Sequence, residues 1–345
     1  MSLTTIATNT RKTIRYTIYG IIFLIIGRFI LGIVINIYTS AFPKPPPAPT
    51  LAFGKLPKIS FPDQKDLPKF NFQLQTSNGA LPTFSTQSKV YFMPKSNVSL
   101  LSFDDAKAKA QKLGFKGDPQ KISETVLRFS DPTSPSTLEI NIVSGVFSIS
   151  YNLSADPQAL SKLPPTPDSA VSQVKSFLSS NGLMFPDLEG GTSKVDFLNV
   201  ADAKLVPVLS LSEAKIVKVN LFRQDYDKFP VVTMNPTEGN VWFLVTGAKN
   251  IIAGEYHYFP VDMTQVATYP IKTAQDAYKD LQSGAGYVAS LGQNGDGNVV
   301  IRKVYLAYFD PGNSTDQFLQ PITVFEGDRG FVSYVPMIKS DFYGD

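Results

Sequence analysis

"YTIYGIIFLIIGRFILGIVINIYT", residues 16–39, is an apolar run interrupted mainly by Arg28 and Asn36. A helix rises about 1.5 Å per residue, so roughly 20 residues cross a hydrocarbon core and this run suffices even when tilted. It predicts one transmembrane helix. Arg11, Lys12 and Arg15 precede it and only Lys44 follows closely. The positive-inside rule therefore places residues 1–15 in the cytoplasm as a short tail, and everything after the span outside it. A cleaved signal peptide would carry a shorter apolar region and a small-x-small site, for which "YTSAF" at 38–42 is a poor match. A buried core helix of this length, so near a terminus, would be unusual.

Arg28 is the costly residue. An arginine near a bilayer centre costs on the order of 2.5–3.5 kcal/mol on insertion scales and tends to mark a partner or a function. No acid lies in the same span. Two readings stay open: the side chain snorkels between two apolar halves, eased by Gly27, or it pairs with an acid or a lipid headgroup of another membrane component. Gly20, Gly27 and Gly32 permit close helix contact but form no GxxxG pair.

The anchor also explains the charge. Of 32 Lys and Arg, four lie in residues 1–42, which contain no acid; the remaining 28 face 29 Asp and Glu. The folded part is thus nearly neutral and carries no nucleic-acid footprint. With no cysteine, disulfides, thiolate zinc sites, cysteine nucleophiles and lipidation through cysteine are excluded, and a single histidine, His257, excludes a multi-histidine metal site.

Beyond the span, "PKPPPAPT" at 43–50 predicts a polyproline spacer, and residues 40–82 as a whole read as a proline-rich extended linker. Leu56, Ile59, Phe61, Leu67, Phe70, Phe72 and Leu74 recur too often for pure linker and are able to dock on a body. A helix followed by strands then appears three times, dividing the rest into units at 83–160, 161–268 and 269–345. The first helix starts at Ser102, with Asp104 and Asp105 in its first turn, and stops at Gly114; "VSGVF" closes a hairpin after it. The second starts at Thr166–Pro167 and stops at "NG" 181–182, and the third starts at Thr273 and stops at Gly284. Helices against antiparallel sheet predict an α+β fold.

The segment "YPIKTAQDAYKDLQSGAGYV" (269–288), with "VVIRKVYLAYF", "FLQPITVFEG" and "GFVSYVPMI" after it, resembles the C-terminal module of YycI/YycH-type regulatory proteins. Residues 99–152 are similar to PepSY-like modules, one helix on a small antiparallel sheet. The resemblance implies a membrane-anchored, non-catalytic external domain that modulates a membrane partner, in the best-known members a sensor histidine kinase. The long proline-rich segment and Arg28 depart from that pattern, so the kinase itself is not carried over.

No catalytic constellation stands out. His257 in "GEYHYFP" alternates with aromatics, and Glu255 is merely its same-face neighbour, which predicts a structural or surface histidine. "NGDGN" at 294–298 begins like a calcium loop, but Val299 and Tyr305 fall where the EF-hand needs glycine and glutamate, so it reads as a loop. Asp104 with Asp105, and Asp225 with Asp227, read as a helix first turn and a strand-end turn. Most of the many aromatics belong to the core. Strand alternation nevertheless turns some outward, so Tyr256, Tyr258, Tyr305 and Phe309, with Arg28 in the span, are the candidate partner contacts. No catalytic, cofactor or metal residue is assigned. The expectation is a non-catalytic, membrane-anchored extracytoplasmic protein of the bacterial envelope that binds a membrane or envelope partner, with the bilayer as a second partner and homo-oligomerisation open. A structural or assembly component of the envelope is the alternative, and a hydrolase with an unrecognised site the lesser one.

Overall fold

The computed structural model describes residues 3–41, 47–94, 102–313 and 315–344. Residues 43–46 of the expected spacer and the Ser102 side chain lie outside what is described. The chain forms two compact units, 1–48 and 49–345.

In the first unit, α1 (Leu3–Ala41) is a single helix of 39 residues. It begins well before the expected boundary at residue 16, because nothing between Leu3 and Tyr19 breaks a helix: the first glycine is Gly20 and no proline precedes Pro43. The expected cytoplasmic tail is therefore helical. Residues Ile14–Tyr38 are apolar and long enough to cross a membrane, and none is buried within the protein. A helix apolar on every side is found buried in a large core or in a membrane, and this one is not buried in a core.

The second unit is α+β. β1 (Asn71–Leu74) and β2 (Gln87–Phe92) precede α2 (Ser102–Lys112). A meander follows, β3 (Gln120–Lys121), β4 (Val126–Ser130), β5 (Ser136–Asn141) and β6 (Phe147–Tyr151), then α3 (Pro167–Ser180) and α4 (Pro186–Glu189). Next come β7 (Ser193–Ala201), β8 (Lys204–Pro207), β9 (Ile216–Leu221), β10 (Val231–Thr233), β11 (Val241–Thr246), β12 (Asn250–Tyr256) and β13 (Asp262–Pro270). The chain finishes through α5 (Ala274–Gln282), β14 (Tyr287–Ser290), β15 (Asn298–Asp310), β16 (Phe318–Gly327) and β17 (Val332–Pro336).

Two sheets organise these strands, and neither respects the expected divisions at 160 and 268. One is nine-stranded and antiparallel, in the order β3-β4-β5-β6-β12-β11-β9-β7-β8, so the first and second expected units share a sheet through the β6–β12 pair. The other is eight-stranded. Its path β1-β15-β16-β17-β14 is joined by β10 on β15, by β2 on β16, and by β13 on β2. Both β1 and β10 run parallel to β15, along its first and last residues respectively.

Helix termini follow the local chemistry. Thr273 caps α5 by accepting the Asp276 amide, Pro167 opens α3 at a position that needs no donor, and Gly284 takes the positive φ of 83° that ends α5. α2 and α3 cover one face of the nine-stranded sheet, where Ala106, Ala110, Val174 and Leu178 meet Phe129, Phe147, Val219 and Phe243. α5 covers one face of the other sheet through Ala277, Tyr278 and Leu281.

Residues 49–82 are extended, as their prolines require, but they are a strap and not a linker. Leu56 is fully buried and bonded through its amide to Phe342 O. Ile59 and Phe61 pack on one face of the eight-stranded sheet, with Phe61 stacked on Tyr287 at 4.6 Å, and Phe70 and Phe72 pack on the other, against Phe331. Between these contacts Gln64 uses both ends of its amide on Val288, N–H to carbonyl and carbonyl to N–H, each at 2.8 Å. It thereby satisfies a strand edge that would otherwise present open backbone groups.

Candidate functional site

Strand side chains alternate between faces, so covering one face of the nine-stranded sheet with α2 and α3 leaves the other to be accounted for. Across that outer face, registered neighbours run Arg128, Glu139, Ser148, Glu255 and Trp242 over five strands. Arg128 and Glu139 are paired at 2.6 Å. Beside this row Ile216, Leu244 and Ile252 form a small apolar cluster, joined by Leu198 and Val200 of β7 and by Leu153 and Leu160 from the segment that curls back after β6.

The curl is incomplete, and a groove of about 710 Å³ remains. Its floor is Leu244 and Ile252, its walls are Leu153 and Leu160 on one side and Val200 and Leu205 on the other, and Ser148, Ser150 and Glu255 supply polar groups. Trp242, the sole tryptophan, lines it and is partly exposed. Lys218 Nζ sits 4.2 Å from the Trp242 ring centroid and is held by Glu238 at 2.5 Å. The groove thus combines an apolar floor, a rigid aromatic and a few hydroxyl and carboxylate groups, the mixed lining typical of binding clefts. Leu205 and Leu209, on and just after the β8 edge, are exposed, the latter at 97%, extending apolar surface at this end of the sheet.

A second groove of about 720 Å³ lies where α3 meets the meander. Ser169, Ser172, Ser176 and Ser180 line it from α3, spaced three or four apart and thus on one helical face. Asp131, the carboxylate in its lining, is already bonded by Thr133 and Ser134. Burial pushes its carboxyl upward, and those hydrogen bonds outweigh burial and hold it below its ordinary value. Leu113, Phe115, Ile149, Phe177 and Ile251 share the lining with these hydroxyls, and its one carboxylate is engaged inside the fold.

The strongest electrostatic cluster is buried. Arg223, 2% exposed at its side chain, donates to Asp310 Oδ2 at 2.7 Å, to Asp187 Oδ2 at 2.6 Å and to the Phe259 carbonyl at 2.6 Å, and its guanidinium lies 4.2 Å from the Tyr258 ring centroid. Tyr258 and Tyr226 also donate to Asp187. Burial alone would raise the Asp187 carboxyl; the Arg223 charge and these hydrogen bonds outweigh it and hold Asp187 below the usual carboxylate range. Burial likewise opposes the charge on Arg223, and Asp310 and Asp187 overcome it and raise its pKa. Every strong donor here is satisfied within the protein. The cluster ties the end of β9 and α4 to the end of β15, joining the two sheets.

The sequence candidates separate clearly. Tyr256 (3% exposed), Tyr258 (7%) and Phe309 (1%) are buried, which corrects their expected placement on a partner-binding surface. The causes differ: Tyr256 points to the helix-covered face of β12, stacks on Phe147 and donates to Leu183 O, Tyr258 lies beyond the end of β12 and enters the Arg223 cluster, and Phe309 packs with Phe61 of the strap. Tyr305 is partly buried, donates to Glu326 and has Lys303 Nζ 4.3 Å from its ring. Arg28 lies on α1, in the other unit. His257 rests 3.3 Å from Gly312 O and 3.9 Å from Glu255. In the 294–298 loop Asp296 pairs with Arg329, and Asn294 donates to Leu291 O and Asp328 O. Among the described residues no group of three or more His, Cys, Asp or Glu is placed to hold a metal ion.

Sequence reasoning missed the Arg223 cluster and the Trp242 groove. "LFRQDYDKF" at 221–229 looks like a solvated turn, and nothing local points to Asp187 or Asp310. Trp242 in "VWFLV" sits among core residues, and only the period-two alternation with buried Val241 and Phe243 marks it as outward. Comparisons of the chain with models of known families, with curated proteins and with solved structures find no match.

Proposed function

We propose that this is a non-catalytic, membrane-tethered binding protein, anchored by residues 14–38 with its N-terminus in the cytoplasm, whose folded unit engages an envelope partner on the outer face of the nine-stranded sheet. The observation that carries this reading is the groove at Trp242: apolar floor, rigid aromatic and sparse polar groups on a face left open while the opposite face is helix-covered. The basic cluster at 11, 12 and 15 supports the orientation. The packing of α2 on β4–β6 supports the resemblance to modules that regulate by binding.

The test places a photocrosslinking amino acid at Ser150 or Leu205, in the groove, and at Lys116, exposed elsewhere, in the full-length protein in its native membrane. A discrete adduct from both groove positions, absent at Lys116 and lost in a Trp242→Ala background, is expected. Equal adducts from all three positions, or adducts indifferent to Trp242, contradict the reading.

A further inference from the structure

Arg28 lies close to the middle of Ile14–Tyr38. Tyr16 and Tyr19 near one end and Tyr38 at the other are the residues that settle at membrane interfaces, which fixes the depth of the helix and puts Arg28 near the midplane. Its Cα is roughly 15 Å along the axis from Tyr38 and roughly 14 Å from Tyr19, whereas a guanidinium reaches only about 6 Å from its backbone. Snorkelling does not bring the charge to water.

The chain offers no intramembrane counter-charge either, since the first carboxylate in the sequence is Asp63. Intramembrane ionisable residues pair with other groups or face a polar cavity. On the same side of α1, Ile25, Arg28, Phe29, Gly32, Ile33 and Asn36 line one groove along the helix. Arg28, Gly32 and Asn36 are spaced by four, so Gly32, which has no side chain, leaves a notch one turn beyond the charge. Small residues let another helix approach closely, and polar ones hydrogen-bond across the contact.

We infer that the Arg28–Gly32–Asn36 face docks a transmembrane helix of a partner protein bearing an Asp or Glu at mid-membrane depth. Charge complementarity selects this occupant. A second copy of the chain would bring arginine to arginine with no acid, and lipid phosphates lie at the interface, beyond the reach of the side chain. The proposal rests on the membrane-spanning reading and deepens it by naming the partner's chemistry.

The experiment keeps the full-length protein in its native membrane and places a photocrosslinker at Phe29, on the docking face, or at Val34, on the opposite side. Alkaline carbonate extraction is run in parallel; release of the protein there rejects the spanning reading itself, independently of the crosslinks. With the protein retained, the expected result is a discrete protein adduct at Phe29 and none at Val34. Adduct yield should fall by about tenfold in Arg28→Leu or Gly32→Leu, the loss that follows from a polar coupling near the upper end measured between membrane helices. The captured protein should carry an intramembrane acid, and exchanging that acid for arginine should restore the adduct in Arg28→Asp. Lipid adducts only, equal capture from both faces, yield indifferent to Arg28, or a captured protein without an intramembrane acid each overturn the proposal.

Discussion

Replacing Arg223 with leucine removes the positive member of a buried cluster and leaves the Asp187 and Asp310 carboxylates facing each other without their shared cation. Three hydrogen bonds of 2.6–2.7 Å vanish with it, and the Phe259 carbonyl loses its donor. Breaking a buried ion pair from one side costs about 3–5 kcal/mol, because the surviving charge stays desolvated. With two carboxylates stranded the upper part of that range is expected at pH 7. The penalty also depends on pH. In the wild type Asp187 is held below its unfolded value of 3.8, so its contribution is present above that pH and is lost as pH falls through the folded value. Once Arg223 is gone, burial pushes the Asp187 carboxyl upward, and protonation relieves it as the pH falls from 7 toward 4. The gap between variant and wild type therefore narrows in acid. Urea unfolding of the full-length protein in mild detergent, followed by fluorescence of the sole tryptophan and by far-ultraviolet circular dichroism at pH 7 and pH 4.5, measures both effects. A loss below about 1 kcal/mol at pH 7, or a gap that does not narrow, would refute the assignment of this cluster as the tie between the sheets.

Two further outcomes follow from single contacts. Lys109 is half-buried against Phe147 and Tyr256 with its ammonium on Gly145 O at 2.6 Å, and desolvation pulls its pKa from 10.5 down to about 8. Between those two values the unfolded chain binds more protons, so this residue makes stability rise with pH across that window, and Lys109→Met should flatten the rise in a pH series of unfolding curves. Gln64→Ala should cost about 1–2 kcal/mol by removing both hydrogen bonds to Val288, and the Val288 amide should exchange hydrogen faster while β9 and β11 amides keep their protection.

Local chemistry made the long apolar helix, the helix ends and the hairpin at 141–147 legible, because each is decided nearby in sequence: an apolar run broken mainly by Arg28 and Asn36, Pro167, Thr273, Gly284, or a Gly145 at φ 72°. The sheets were not legible. β6 finds β12 across about a hundred residues, and β1 and β10 reach β15 from opposite parts of the chain, pairings that no local pattern encodes. The same distance hid the strap. Its prolines correctly forbid a helix, yet what Phe61 and Phe70 pack against is made by residues more than two hundred positions later. Alternation gives the period of a strand and not which face is covered: Tyr256 points to the helix-covered face of β12, Tyr258 lies beyond that strand, Phe309 is covered by the strap, and Trp242, on the open face, was overlooked.

The central claim is that the chain spans a membrane once, with its folded unit outside. Because the protein contains no cysteine, single cysteines report topology without background. Thr8→Cys and Leu209→Cys, the latter at a site 97% exposed, are treated in intact cells with a membrane-impermeant maleimide, before and after permeabilisation. The account predicts labelling of Leu209→Cys in intact cells and of Thr8→Cys only after permeabilisation. Labelling of Thr8→Cys with protection of Leu209→Cys in intact cells would contradict it.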